Sequence, residues 1–383
     1  MYSLNATAVL CSLILLIILS TSLNIFCIYV IRTTKTLREK PSSSFVVNLL
    51  SVHTFQGCVV LPLYAGKKLP HDMIKSLLLR QVFGNGYRFT YILSFYGTCL
   101  GVLSIALDRF LASFLVSRYR SVVTAGRRHA YLTGLWIYIL LLAAIPFVDF
   151  KGGDDALNDL TMNSTAVVVP KLYYYNHQPE WVVFMLLFNA ALPLLLIIVC
   201  YIYIVVTLKN IETVKNIDAS RSLDRTNPLL LTSLSVDSAQ RMQNFNKYKE
   251  VSYLTLALAL TYGVCWTPSI INYILMSICS TCFPENYEDS KVETIVSYLI
   301  KYLAYTNAVF SPLIYCFYHS EFRKALRVMR WKCSQEDELM TPVNTSSGET
   351  SFMVSLHSLS SLGRNKLQRT FSRAVSSAGA ATL

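Results

Sequence analysis

Charge is scarce in this sequence. Asp, Glu, Lys and Arg make up 15% of the 383 residues, against about 25% in an ordinary water-soluble domain. A chain this poor in charge, 53% hydrophobic and broken into long apolar runs, is not a soluble globular domain. It reads as a helical protein that crosses a membrane several times. Metal-ligand spacing is missing as well: there is no CxxC…CxxC pattern and no His/Cys cluster. No nucleophile stands beside a base, so no enzyme chemistry and no cofactor are expected. Residues ahead of the first apolar run include no Lys or Arg, which speaks against a cleaved signal peptide. No internal repeat is present, as a transporter built from repeated halves would show. Basic residues outnumber acidic ones, 34 to 22, but they flank apolar runs. That excess is read as membrane topology and not as nucleic-acid binding.

Seven apolar runs can cross a bilayer, which takes about 20 residues. They are 8–31, 43–65, 83–109, 130–148, 181–208, 251–278 and 293–318. The expected fold is an all-α membrane protein, a seven-transmembrane helix bundle with an amphipathic helix eight over 319–332. Phe322, Ala325, Leu326 and Met329 share one face of that helix, with Arg323, Lys324 and Arg327 on the polar side, the pattern of a helix lying on membrane lipids. Residues 1–7 precede the bundle, and 333–383 read as a disordered tail rich in Ser and Thr. With the N-terminus outside, inner segments hold 24 Lys and Arg and outer segments seven. Positive charge gathers on the cytosolic side, so the N-terminus is expected outside and the tail in the cytosol. The glycosylation patterns at Asn5 and Asn163 then both fall outside. Most cysteines lie in apolar runs as small packing residues. Cys279 and Cys282 are the only pair in an expected outer loop. Cys333 follows helix eight, where it is either palmitoylated or a free thiol.

Short motifs sit at fixed places on these runs. The third ends in Asp108-Arg109-Phe110. The sixth carries Cys265-Trp266-Thr267-Pro268, and the seventh carries Asn307 and Ser311-Pro312-Leu313-Ile314-Tyr315. Asn24, Trp136, Pro193 and Tyr201 mark the first, fourth and fifth. A proline inside a helix removes a hydrogen bond and bends the rod there. Over about residues 8–330 this ordered set resembles the rhodopsin-like G-protein-coupled receptors. Phe stands for Tyr in the Asp-Arg-Tyr signature, and Ser for Asn in Asn-Pro-x-x-Tyr. The resemblance implies a cell-membrane receptor that passes an extracellular ligand's signal to a heterotrimeric G protein. It implies that Asp108 holds Arg109 at rest and that Arg109 is freed when the sixth helix swings out. Tyr201, Trp266, Pro268, Ser311, Pro312 and Tyr315 belong to the same switch by that resemblance. Receptor kinases and arrestin are the implied partners of the tail, with a plain linker as the other reading.

The departures from the family carry their own expectations. His53 takes the place of an Asp that, in the family, binds sodium with partners that here would be Thr98, Asn307 and Ser311. Imidazole is a poor ligand for a hard monovalent cation, so no sodium regulation is expected. His53 is either a group titrating near ambient pH or a neutral, hydrogen-bonded core histidine. Tyr248 stands where the family often has an acid restraining Arg109, with Glu250 half a turn later. With both restraints altered, high basal signalling is expected. The family's usual outer disulfide has lost both halves, since Gly84 replaces one cysteine and the loop 149–180 contains none. Cys279 and Cys282 are left to close a small ring, similar to rings in some lipid and melanocortin receptors. Tyr91 replaces the Asp of aminergic receptors, and Tyr305 the Lys that holds retinal in opsins. The candidate pocket is Arg88, Tyr91, Trp266, Lys301 and Tyr305. Arg88 and Lys301 turned inward would suit an anionic or lipid-like ligand; Lys301 snorkelling outward or pairing with an acid is the competing reading. A transporter and a non-signalling accessory membrane protein are the alternatives to a receptor.

Overall fold

The computed structural model describes residues 2–67, 79, 82–115, 118–147, 183, 185–222, 228–278 and 291–340. All elements among these described residues are helical. In hydrocarbon there is no water to meet N–H and C=O groups, and a helix satisfies them within its own segment. The long helices in chain order are α1 Tyr2–Thr33, α2 Ser43–Lys67, α3 Val82–Leu115, α4 Ala125–Ala144, α5 Leu192–Ser222, α6 Pro228–Ile278, α7 Lys291–Tyr318 and α8 Ser320–Met340. Stretches of α1, α2, α3 and α6, and α5 with the turn before it, are long and apolar enough to cross a membrane by themselves. Within Met1–Leu326, α1 packs on α2 and α7, and α6 packs on α7. The third helix touches α2, α4, α5 and α6, so the ring of helices is organised around it. Leu15, Leu141, Ile202, Val264 and Leu299 are exposed, the face such a bundle turns to lipid.

Several ends differ from the apolar runs. The third helix continues six residues past Arg109 to Leu115, so the Asp-Arg pair lies inside a helix and not at its end. The polar stretch 209–250, outside the expected spans, is helical through Ser222 and again from Pro228. The eighth helix runs to Met340, past the expected end at 332 and into the stretch read as tail. Apolarity marks where a helix leaves the membrane, not where it stops. Lys, Glu, Gln, Leu and Met continue a helix well in water.

Two helices widen just ahead of a proline. A π-turn at Gln56–Val60 precedes Pro62, and another at Leu187–Ala191 precedes Pro193. The wider turn absorbs the hydrogen bond that proline cannot make. Inside the first π-turn, a Cβ added at Gly57 would lie 2.4 Å from Ser20 Oγ and 3.0 Å from the Thr21 backbone nitrogen. Glycine there lets α1 and α2 approach backbone to backbone. Side-chain bonds then fix the ring: Asn24 Nδ2 donates to the Ala308 carbonyl of α7 at 2.7 Å, and Trp136 Nε1 donates to Asn48 Oδ1 at 2.8 Å.

Candidate functional site

Asp108 and Arg109 are both buried. Arg109 Nε donates to Asp108 Oδ2 at 3.0 Å, and a terminal nitrogen of the same guanidinium also reaches that oxygen. The other carboxylate oxygen, Oδ1, accepts from the Tyr119 hydroxyl at 2.5 Å. Tyr119 opens a one-turn helix, Tyr119–Val122, beyond the end of α3. A buried ion pair recovers its desolvation cost only if the remaining lone pairs are satisfied, and Tyr119 satisfies them. Burial, then the nearby Asp108 carboxylate, push the Tyr119 phenol above its ordinary range, so it remains a donor at physiological pH. Nothing in the sequence singles out this tyrosine, which sits between Arg118 and Arg120.

Tyrosines surround the guanidinium. Tyr201 of α5 is buried near Thr255, and its hydroxyl makes no hydrogen bond of normal geometry among the described residues. Tyr248 of α6 is close enough to act on the Arg109 charge. Glu250 turns elsewhere. Its carboxylate accepts the Ser320 backbone N–H and, at 2.8 Å, the Ser320 hydroxyl at the start of α8. Lys249 beside it donates to Glu212 of α5 at 2.9 Å.

Pro312 lies buried within α7. One turn on, the Tyr315 ring meets Phe322 edge-on at 5.3 Å and lies 5.0 Å from the His319 ring. His319 Nδ1 accepts the Phe322 N–H at 3.4 Å, capping the first turn of α8. Burial, then the charge of Lys40, push the His319 pKa down to about 4. The ring's value in an unfolded chain is about 6.5. The folded value is depressed, so the neutral ring's contribution is complete above about pH 6.5 and is lost as pH falls towards about 4. The melting temperature of purified protein should therefore drop across that window. His319→Asn should flatten the drop; an identical slope in the variant would show that another group titrates.

Deeper in the bundle, His53 of α2 meets Asn307 of α7, both buried, and Thr98 of α3 is buried as well. Asn307 Nδ2 lies 3.4 Å from His53 Nε2. An amide nitrogen only donates, so the ring accepts there as a neutral imidazole whose proton sits on Nδ1. His53 Nδ1, Thr98 Oγ1 and Asn307 Oδ1 have no hydrogen-bond partner among the described residues. The Ser311 hydroxyl, also buried, donates to the Asn307 carbonyl at 2.9 Å. This set fits sodium poorly: a neutral imidazole stands where the carboxylate would be, and no carboxylate bonds to His53 or Asn307 among the described residues.

Above this cluster, Trp266 is buried against Phe95 at 5.0 Å, with Tyr91 at 6.2 Å. Its indole nitrogen has no hydrogen-bond partner among the described residues. Pro268 lies two residues on, inside α6. Tyr305 meets Tyr91 edge-on at 6.4 Å, and its hydroxyl shares a 2.7 Å hydrogen bond with Tyr87. Tyr305 is fully enclosed in a small core with Tyr64, Leu13, Val60 and Leu61, so it supports a pocket more than it lines one. Gln56 joins three helices here: its amide donates to the Tyr305 carbonyl at 3.3 Å, and its oxygen accepts from Ser94 at 3.1 Å. Lys67 sits 5.3 Å over the Tyr87 ring, a cation–π contact. Arg88 and Lys301 are half-buried, and each has an interaction partner. Gln56 and Tyr64 were not among the expected site residues, and Lys67 stood out only as one of the basic residues of the first outer segment.

Asn163, Cys279 and Cys282 lie outside the described residues, as do the side chains of Asn5 and Cys333.

The chain was compared with known families and proteins. The pattern of one family, 7 transmembrane receptor (rhodopsin family), matches residues 23–315. The chain is 24% identical over 308 residues to a Gq-coupled rhodopsin of Mizuhopecten yessoensis, across 78% of this chain and 54% of that protein. It therefore spans about half the length of that rhodopsin. It is 25% identical over 319 residues to adenosine receptor A2b of Homo sapiens, across 80% and 84% of the two chains. It is 23% identical over 325 residues to the B2 bradykinin receptor of Sus scrofa, across 78% of each. These relatives are receptors, and their names point to different ligands.

Proposed function

We propose that this chain, which belongs to the rhodopsin family of seven-transmembrane receptors, carries the signal of an extracellular ligand to a heterotrimeric G protein through Arg109. It is a multi-pass membrane receptor and not an enzyme. The observation that carries the reading is the clamp on Asp108, which holds Arg109 through one oxygen and Tyr119 through the other. The clamp lies near Tyr201 of α5, Tyr248 of α6 and Tyr315 of α7. Arg109 keeps its charge in any environment and offers five donors in a planar fork, so it can leave one acceptor and take others. Tyr201 and Tyr315 supply hydroxyls from α5 and α7 for the released form.

The excess of Lys and Arg in the inner segments supports a cytosolic location for the clamp's end of the bundle. Receptor kinases and arrestin would act on the Ser/Thr-rich tail, and a lipid on Cys333 would pin it to the membrane. The ligand would enter at the opposite end, among Tyr91, Arg88 and Lys301. That lining suits an acidic lipid or another carboxylate better than an amine. Altered restraints at His53 and Tyr248 favour signalling without ligand. The test is nucleotide exchange on purified heterotrimers mixed with the receptor in lipid nanodiscs. At least one G-protein class should exchange faster than with empty discs. Equal rates for every class, with and without a panel of acidic lipids, would defeat the proposal.

A further inference from the structure

The base of α6 is held, but not at the position where the family often carries its acid. No acid from α6 reaches Arg109 among the described contacts, and Tyr248 occupies that neighbourhood. One turn of the same helix nevertheless carries a strong tether. Glu250 grips Ser320 twice, through the backbone N–H and through the hydroxyl at 2.8 Å, although the two residues are 70 apart in the chain. Ser320 is the first residue of α8. Its N–H is one of the helix's four initial donors that no turn of helix can satisfy, and a carboxylate there also meets the positive end of the helix dipole. Bonds to an ionised acceptor are roughly twice as strong as neutral ones.

The start of α8 is itself well anchored. Glu321 pairs with Lys40 from the connection between α1 and α2. Phe322 is fully buried against Tyr315. His319 caps the Phe322 N–H. A helix end pinned in this way is a fixed post, and Glu250 is a hook on the element that must move.

We infer that Glu250 is the positioning residue that keeps α6 closed, by capping α8 in place of the missing acid opposite Arg109. The inference rests on the reading of the chain as a receptor whose α6 swings outward. Opening then breaks both bonds to Ser320, and the closed form is favoured by their combined strength. The expectation of high basal signalling left this tether out, so the tether lowers whatever basal level the altered His53 and Tyr248 positions set.

The test measures ligand-free G-protein activation by the full-length receptor, normalised to surface expression. The variants are Glu250→Gln, Ser320→Pro, both together, and Arg109→Ala. Proline suits the first position of a helix and lacks the N–H, so Ser320→Pro removes both donors without breaking α8. Each single change should raise the ligand-free signal, shifting the closed-to-open ratio by roughly tenfold. The double variant should be no more active than Ser320→Pro alone, because proline already removes both donors to Glu250 and the amide only weakens the bonds they make. Mere loss of packing would lower the signal or the surface level instead. Unchanged basal signal in Glu250→Gln, or additive effects in the double variant, would overturn the tether. Should that happen while Arg109→Ala is silent, the receptor reading stands without it; an active Arg109→Ala would undermine the reading beneath.

Discussion

Arg109→Ala should silence the receptor, cutting both ligand-free and agonist-driven signalling by roughly tenfold or more. The substitution removes the one buried guanidinium among the described residues, a group that combines permanent charge with a planar set of donors. It also leaves Asp108 with only the Tyr119 hydroxyl. Removing one partner of a buried pair costs about 3–5 kcal/mol in stability, so surface expression must be measured beside signal. Asp108→Asn separates the two effects. It leaves the guanidinium in place and weakens its hold, so ligand-free signal should rise where Arg109→Ala abolishes it. Tyr119→Phe should rise too, by less, since Arg109 keeps its bonds to Oδ2. Arg109→Lys keeps the charge but loses the fork, and an intermediate signal is expected. The idea of a switch would not survive if Arg109→Ala and Asp108→Asn moved the signal in the same direction at equal surface levels. A static anchor would behave in that way.

The parts legible in the sequence are those that hydrocarbon enforces. A span must be apolar over its crossing, so the crossing segments could be marked from residues 8–318 alone. The prolines and Trp266 stand out because they are costly or bulky in a helix. What lies beyond the membrane was read less well. Residues 209–222 and 228–250 lie outside the expected spans, yet both are helical. Water permits either form, and only helix propensity and neighbours decide. Pairings across the bundle were also hidden. Asp108 with Tyr119, Glu250 with Ser320 and Gln56 with Tyr305 join residues 11, 70 and 249 positions apart. Nothing in a single sequence couples such positions, because each residue type is unremarkable where it stands. Position alone fails most clearly at Glu250: it stands half a turn from the position that faces Arg109, while its bonds lead to a different helix.

His53→Asp should create a sodium dependence, with none expected of the natural protein. The native cluster offers two buried oxygens without partners, Thr98 Oγ1 and Asn307 Oδ1, but also an imidazole proton on Nδ1. A hard cation wants oxygen ligands and a compensating negative charge, and finds neither in a neutral ring. An aspartate at 53 would add a carboxylate beside the Asn307 amide. Without a cation it would be a buried, unbalanced charge, costing several kcal/mol. Sodium bound there would return part of that cost, by about 2.7 kcal/mol at a hundredfold excess over the dissociation constant. For a bundle of this size each kcal/mol corresponds to roughly 2–4 °C in melting temperature. The Asp variant should then melt several degrees higher in sodium than in potassium and signal less in sodium. Wild type should behave alike in both salts. A sodium effect of equal size in wild type would mean that the histidine does not exclude the cation. Its absence from the variant would mean that Thr98 and Asn307 are not free to turn their oxygens inward.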